Sequence, residues 1–200
     1  MSGIAIVTFT AKLLAAQYNS FLVILGWRPI VTLGFRVVII LIKSINKKIK
    51  MELNFYQIDD VYTKSMAPLL LKILEEEKKV VIFCQDETKM QEIDKGLWQF
   101  SKTKFVPHVT NLEKDIEELS SWQRQPVIIS NEEENKNDAD HLVLIDRPSP
   151  DFIKKFSRIF YFYDSQMLDE AKKLHQENSG NATKIKSYKK QAGKWVEFGL

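Results

Sequence analysis

The hydrophobic residues of this chain fall into short unbroken runs, separated by stretches in which apolar residues recur at helical spacing. Val80–Phe83 is one such run, with two lysines before it and a polar pair after it. Runs of this length indicate strands buried on both faces, as in parallel sheets. Asp86 then stands at the N-cap position of a predicted helix with the apolar face Met90, Ile93, Leu97 and Trp98. The stretch from Val80 to His108 is therefore predicted to hold a complete strand–helix–strand step.

The same pattern predicts further elements on both sides of this step. Strands are expected at residues 53–58, 127–130, 141–145 and 158–163. A helix is expected after the first strand, with Pro68 near its front. Short helices are expected through Leu112, Ile116 and Leu119, and at residues 152–156. A last helix is expected at 165–178, resuming over 182–191. This alternation predicts an α/β fold of three layers, with a mostly parallel sheet flanked by helices.

The glycine positions bear on whether this Rossmann-like fold holds a nucleotide. After residue 50 the glycines are at positions 96, 180, 193 and 199, none of them at a predicted strand-to-helix turn. Neither a Gly-x-x-x-x-Gly-Lys-Ser/Thr loop nor a Gly-x-Gly-x-x-Gly sequence occurs. The sequence therefore predicts no nucleotide site and no cofactor.

The first fifty residues differ from the rest. They are largely apolar from 21 to 42, but Arg28, Pro29 and Arg36 interrupt them, and the longest uncharged run, 13–27, is shorter than the roughly 18 to 20 residues of a membrane span. They could be a weak membrane anchor, an amphipathic targeting extension, or an upstream segment before a true start at Met51. We favour the third interpretation. The expected organisation is an extension outside the fold at 1–50 and one α/β domain at 51–200.

Charge is unevenly distributed along the chain. Residues 1–50 carry seven of the 29 basic residues and no acid, which leaves 22 bases against 26 acids in the remainder, a net charge of −4. An acidic body argues against a general phosphate-binding surface. Within it, residues 178–200 hold five lysines and one acid, so this end is expected to attract an acidic peptide.

Few residues suggest catalysis or metal binding. Cys84, the single cysteine, follows a predicted strand, a position where a nucleophile could lie. We favour the alternative, that Cys84 is a small buried residue at the end of the strand. A lone cysteine also fits a reducing, cytoplasmic setting. Asp86 and Glu87 are interpreted as helix-start residues rather than a catalytic pair. His108, His141 and His175 are isolated in sequence, so no metal site is predicted.

Two separated segments resemble one family in order and spacing. These are Ile82–Trp98, IFCQDETKMQEIDKGLW, and Phe105–His108, FVPH. They resemble the chi subunit of the bacterial DNA polymerase III holoenzyme, an accessory protein of the clamp-loader assembly. Asn54–Asp59 and Gln125–Ile129 extend the similarity, which covers roughly Met51 to Tyr188.

The resemblance implies two binding sites. In the chi family a tryptophan at the helix end and the Phe-x-Pro-His segment contribute to binding the psi subunit, which implies roles for Trp98, Phe105, Pro107 and His108. The family also binds the acidic C-terminal tail of single-stranded DNA-binding protein, for which the matching candidates are Lys184, Lys186, Tyr188, Lys189 and Lys190. The chain departs from the family pattern a turn earlier, where Ala182 and Ile185 stand in place of the usual arginine and aromatic residue.

The resemblance thus implies a non-catalytic adapter in DNA replication. Its expected partners are psi or the clamp loader, the tail of single-stranded DNA-binding protein and, indirectly, DNA, with no membrane partner. Two rival hypotheses come from other classes. One is a small α/β enzyme that uses Cys84 as nucleophile. The other is direct binding of single-stranded nucleic acid by the lysine-rich end, with an affinity that falls steeply with salt.

Overall fold

The computed structural model describes residues 51–113, 119–191 and 193–200. The expectations for residues 1–50 and for Ile116 lie outside the described residues. Within the described part, one sheet is built from eight strands: β1 Glu52–Gln57, β2 Val80–Phe83, β3 Val109–Thr110, β4 Val127–Ser130, β5 His141–Leu144, β6 Arg158–Tyr163, β7 Lys184–Gln191 and β8 Lys194–Phe198. The α-helices there are α1 Tyr62–Glu75, α2 Glu87–Gln99, α3 Leu119–Arg124, α4 Pro150–Ile153 and α5 Leu168–Asn178. A 3-10 turn, Ser165–Met167, immediately precedes α5.

The strands lie in the order β3-β4-β2-β5-β6-β1-β7-β8. Neighbouring strands from β3 through β7 are parallel, and β8 runs antiparallel to β7. The predicted fold class, a mostly parallel sheet flanked by helices, is confirmed. The expectation that Val80–Phe83 is an interior strand is also confirmed, because β2 lies between β4 and β5.

The sheet separates two apolar layers, because successive side chains of a strand point to opposite faces. Val80 and Ile82 pack on one side with α1 and α2, whereas Val81 and Phe83 pack on the other with α4 and α5. All four side chains of β2 are buried, and burying each contributes about 1.5–3 kcal/mol. The sheet is therefore the middle of three layers, and the residues that follow β2 and β5 lie at its carboxyl edge.

Helices α1 and α2 approach each other closely beside the buried Thr63. A Cβ atom added to Gly96 would lie 2.6 Å from Thr63 Cγ2 and 2.7 Å from Thr63 Oγ1. Only a residue without a side chain fits at this distance. Gly96 thus fixes how near α2, and the residues at its end, lie to α1.

Three predicted boundaries are wrong. Pro68 lies inside α1, which begins at Tyr62, because the buried Met66 and other apolar side chains hold the helix across the lost hydrogen bond. The strand expected within 105–108 begins only at Val109, after a proline that cannot donate to a strand ladder. Leu112, predicted to lie in a short helix with Ile116 and Leu119, lies instead in a turn and is 37% exposed. Of the other two residues, Ile116 is outside the described residues and Leu119 belongs to α3.

The helix expected to resume over 182–191 is the largest error, since this segment is strand β7. Lysine and glutamine favour helices, but the segment pairs residue for residue with β1, for example Tyr56 with Tyr188. Without it the buried strand β1 would have an open edge. Thr183 anchors the start of β7, because its backbone N–H donates to Met51 O over 2.8 Å and its hydroxyl donates to the same oxygen over 3.0 Å.

Candidate partner-binding surfaces

Helix α2 ends in an exposed pair of aromatic rings. The helix starts at Asp86, whose Oδ1 accepts hydrogen bonds from the N–H groups of Thr88 over 2.8 Å and Lys89 over 3.2 Å, as an N-cap residue does. At its other end Trp98 is 57% exposed, and Phe105 in the following segment is 51% exposed. Their ring centroids are 5.0 Å apart. We call Trp98, Phe105, Pro107 and His108 the aromatic surface.

The sequence pattern placed Trp98 on the buried face of α2, and this is wrong. Met90, Ile93 and Leu97 are buried, as expected, but Trp98 points away from the sheet. Consecutive helical residues are separated by about 100° around the axis. Leu97 takes the position over Ile93, and Trp98 is therefore turned toward solvent.

His108 supports the aromatic surface from beneath. The residue is buried, with Nδ1 2.6 Å from the Val106 carbonyl oxygen and Nε2 3.1 Å from Asp94 Oδ1. Its ring centroid is 5.3 Å from that of Trp98. Two oxygen partners, one on each side of the ring, hold the imidazole in a single orientation. His108 thus connects the middle of α2 to the segment that carries Phe105.

The second set of predicted binding residues lies on β7. We call Lys184, Lys186, Tyr188, Lys189 and Lys190 the lysine strand. Because side chains alternate along a strand, it is divided between two faces of the sheet. Tyr188 stacks on Tyr56 with centroids 5.2 Å apart, and Lys186 and Lys190 share that face. Lys189 points to the opposite face, where its amine lies 5.3 Å from the ring of Phe198.

Acidic groups already contact two of these lysines. Lys186 pairs with Glu197 of β8, and this hydrogen bond raises the pKa of Lys186 above its ordinary value. Lys190 Nζ lies 3.7 Å from Asp60 Oδ2 and 5.4 Å from the ring of Trp195. Both ion pairs are solvent-accessible, and such pairs exchange readily for other partners because they contribute little to stability.

Sequence reasoning missed the aromatic residues around the lysine strand. Tyr56 lies between Phe162, at 5.0 Å, and Tyr188, at 5.2 Å, and meets Trp195 edge-on at 5.1 Å. Burial raises the pKa of Tyr56 to about 12, with the charge of Tyr188 as the next cause. The strand that carries Trp195 gave only a weak signal, because Lys194–Phe198 contains the strand-favouring residues Trp195, Val196 and Phe198 but does not alternate polar and apolar positions.

Ala182 and Ile185, the two positions at which the chain departs from the family pattern, have a structural role. Both pack against the apolar layer beneath α5. They fill space beside the sheet and bring no positive charge or aromatic face to the surface. At these two positions the surface therefore lacks the contacts that an arginine and an aromatic residue would add.

Cys84 lies at the carboxyl edge of the sheet, where a ligand or nucleophile is expected in open α/β folds. Its side chain is fully buried. Burial raises the pKa of the thiol to about 12, and the negative charge of nearby Asp146 acts in the same direction. Lys89 Nζ, the cation that could favour a thiolate, is 3.5 Å from Asp146 Oδ1. The thiol is therefore protonated at neutral pH, which counts against the nucleophile hypothesis.

The remaining candidates hold structural positions. Glu87 lies in the first turn of α2 and accepts a hydrogen bond from Asn131 over 3.4 Å. His141 stacks on Phe160 at 5.9 Å, and its pKa is lowered, first by burial and then by Arg158. No group of three or more potential metal-binding side chains occurs among residues 51–113, 119–191 and 193–200. Over the same residues, no helix is long and apolar enough to cross a membrane.

Comparison with known proteins identifies the family. The family model described as "DNA polymerase III chi subunit, HolC" matches residues 51–178. The chain belongs to the chi subunit family. It is thus a DNA polymerase III accessory subunit, a protein of DNA replication, as the resemblance implied. The match includes the whole aromatic surface and ends before the lysine strand.

Two curated relatives carry the chi name. The chain is 26% identical over 127 residues to the "Probable DNA polymerase III subunit chi" of Rickettsia prowazekii, covering 60% of this chain and 72% of that protein. It is 31% identical over 103 residues to the "DNA polymerase III subunit chi" of Haemophilus influenzae, covering 50% and 67%. Among solved structures, a DEAD box protein from Methanococcus jannaschii has a TM-score of 0.46 at 10% identity, and the match spans 71% of this chain and 42% of that protein.

Proposed function

We propose that this chi-family chain is a non-catalytic adapter with two binding surfaces. The aromatic surface binds the psi subunit or another part of the clamp loader, and the lysine strand binds the acidic C-terminal tail of single-stranded DNA-binding protein. DNA is then reached indirectly, through that protein. We also propose that residues 1–50 lie outside this domain and that 51–200 contain both surfaces.

The observation that carries the proposal is the exposure of Trp98 and Phe105 on a rigid frame. Two large apolar side chains, each more than half exposed and in contact with each other, are costly to leave in water. Tryptophan is enriched among residues that dominate binding energy, particularly when neighbouring groups hold it in place. Here His108 fixes the segment beneath the pair.

Charge supports the second surface. The body of the chain is acidic, so the lysines of β7 form a local exception to which a negatively charged peptide is attracted. The extended backbone of β7 holds Lys186 and Lys190 on one face, with Tyr188 between them. A peptide lying along this face meets cations on both sides of an aromatic ring.

Direct binding of nucleic acid is the less favoured alternative. Non-specific binding of single strands uses aromatic rings on which bases stack. The ring of Tyr188 already stacks on Tyr56. One face of Tyr188 is therefore covered, and the surface has less free stacking area than its composition suggests.

A titration of the full-length chain with a fluorescent acidic peptide ending in Pro-Phe tests the tail site. We expect saturable binding that Lys186→Glu and Lys189→Glu both weaken, with the larger effect from the variant on the face the peptide occupies. Arg124→Glu, an exposed charge reversal at the far end of the sheet, is the matched control. Equal weakening by all three variants would indicate a general charge effect.

The nucleic-acid alternative is tested on the same protein with a labelled oligothymidine. If it binds, with an affinity that falls steeply between low and physiological salt and without competition from the acidic peptide, the adapter proposal loses its second surface. If the acidic peptide displaces it, the two ligands share the lysine strand.

A further inference from the structure

The imidazole of His108 lies between two hydrogen-bond acceptors. Its Nδ1 is 2.6 Å from the carbonyl oxygen of Val106, and its Nε2 is 3.1 Å from Oδ1 of Asp94. A backbone carbonyl and an ionised carboxylate accept hydrogen bonds and donate none. A neutral imidazole has a single N–H group, so it can donate to one of these neighbours while its other nitrogen directs a lone pair at the second. Both hydrogen bonds therefore require one more proton than a neutral ring and a carboxylate carry.

This additional proton belongs to the ring. A carboxylate is a weaker base than imidazole, and Asp94 keeps contact with water because 31% of its side chain is exposed. The His108 side chain is fully buried, and a buried cation is stable only beside an opposite charge. Asp94 supplies that charge, so the pair consists of an imidazolium and a carboxylate.

Other charged groups do not replace Asp94 beside this ring. Among the described residues, Asp94 is the one acid that forms an ion pair with His108. Strands β3 and β4 contain no charged residue, and the charged residues of α1 and α3 are exposed. Lys89 of α2 is paired with Asp146. The other charged residues of α2 and of the segment before β3 are exposed: Glu87, Glu92, Lys95, Lys102 and Lys104.

His141 is a buried histidine in the opposite environment. Its Nδ1 has no hydrogen-bond partner among the described residues. Burial lowers the pKa of His141, and the charge of Arg158 acts in the same direction. His141 is therefore an internal reference for a neutral ring in the same molecule.

The ion pair joins the two parts of the aromatic surface. Asp94 lies one helical turn before Trp98 on α2, and the His108 ring packs against Trp98 with centroids 5.3 Å apart. Val106 follows Phe105 directly in the chain. If the ring loses a proton, Nδ1–H keeps the closer, local contact to Val106, and the lone pair of Nε2 then faces the carboxylate. This repulsion separates the segment that carries Phe105 from α2.

We infer that Asp94 is a positioning residue for partner binding, which keeps His108 doubly protonated and so holds the two parts of the aromatic surface together. Binding of psi or another clamp-loader protein is then coupled to one proton and weakens as the pH rises. The inference deepens the proposed function and rests on it for the partner, whereas the protonation of His108 is a property of the free chain.

The first experiment uses the full-length chain with isotope-labelled histidine and needs no partner. Proton–nitrogen correlation spectra distinguish protonated from unprotonated ring nitrogens, and His108→Gln assigns the signal. At about pH 6 we expect two protonated nitrogens on His108 in the native chain and one in Asp94→Asn. The new amide can donate to the unprotonated Nε2, so the neutral ring keeps both contacts in this variant. His141 should carry one proton in both proteins.

The second experiment measures the affinity of the same chain for purified psi. From about pH 6 to about pH 9 the affinity of the native chain should fall about tenfold or more, the effect of losing a hydrogen bond to a charged group. The affinity of Asp94→Asn should change less than about twofold over this range. Two controls should keep the native profile: Glu92→Gln, which removes an exposed carboxylate from α2, and His175→Asn, which removes a histidine from α5. An effect of pH on psi itself would appear with every variant.

Either of two results would overturn the inference. One is a native His108 that carries a single proton at about pH 6. The other is the same pH profile of psi binding for the native chain and Asp94→Asn, which would leave the proposed function intact. Psi that binds the native chain at no pH would contradict the proposed function instead, and the spectrum of the free chain would then decide the inference about His108.

Discussion

Replacing Gly96 by alanine should show how closely the packing of α1 and α2 is fixed. The added Cβ would lie 2.6 Å from Cγ2, 2.7 Å from Oγ1 and 3.1 Å from Cβ of Thr63, a buried, β-branched residue. Branching at Cβ leaves Thr63 few alternative rotamers. Gly96→Ala therefore requires the helices to separate or the threonine to adopt a strained conformation.

Two opposing contributions set the size of the effect. Overpacking a buried contact costs about 1–3 kcal/mol, whereas alanine in place of glycine inside a helix contributes about 1 kcal/mol of stability. The net destabilisation expected for Gly96→Ala is therefore up to about 2 kcal/mol. In a Thr63→Ala background the clashing Cγ2 and Oγ1 atoms are gone, and Gly96→Ala should become stabilising.

Urea unfolding of the wild type, the two single variants and the double variant measures this coupling. Gly180→Ala is the control, because a Cβ there meets nothing within 4 Å. If the effects of Gly96→Ala and Thr63→Ala add to within about 0.5 kcal/mol, the close approach does not constrain the helices and the reasoning is refuted. The double variant also tests whether the position of Trp98 at the end of α2 depends on this contact.

The remaining predictions concern single side chains. Asp86→Ala should lower the free energy of unfolding by about 1 kcal/mol, because Asp86 is the N-cap of α2; Asp86→Asn, which keeps an acceptor, is the control. Trp98→Ala should leave the thermal unfolding temperature nearly unchanged yet prevent copurification with psi, and an unchanged yield of psi would contradict the proposal. Burial raises the pKa of Cys84 from 9.0 to about 12, so iodoacetamide should not alkylate it at pH 8 unless the chain is unfolded. Because the unfolded chain loses this proton first, stability should fall as pH rises above about 9, and less steeply in Cys84→Ala.

The elements that the sequence predicts well are those in which burial determines the pattern. β2 and β5 are apolar throughout because both of their faces are covered. The N-cap at Asp86 depends on local hydrogen bonds and was equally predictable. Local pattern and tertiary environment agree at these places, so either is sufficient to identify the element.

β7 could not be predicted from its own residues. Its lysines favour a helix when considered alone, and among residues 184–191 Ser187 alone is buried, while Ile185 packs partly buried against the apolar layer. The strand is determined by β1, whose edge it completes, and this partner is distant in sequence. The exposure of Trp98 was missed for a related reason, since the edge of an apolar helical stripe cannot be located from spacing alone.

The cavity on the α1 side of the sheet was out of reach for sequence reasoning because its lining comes from five separate elements. Tyr56 lies on β1, Ser65 on α1, Phe162 on β6, Lys190 on β7 and Trp195 on β8. None of these residues forms a motif with another in sequence. Only the strand order, which places β6, β1, β7 and β8 side by side, brings them together.

The position of β1 also determines when the protein can finish folding during synthesis. Asn54 Nδ2 donates to the Ile159 carbonyl 105 residues further along, and the contact between Met51 and Thr183 spans 132 residues. Contacts of such sequence separation form slowly, because a long loop must close before they contribute stability. On the ribosome β1 therefore emerges before α1 but stays without strand partners until β6 and β7 have been made. Over that interval a strand with two open edges and the apolar side chains of Leu53 and Phe55 is exposed to other chains, so the nascent polypeptide should need a chaperone more than the finished protein does.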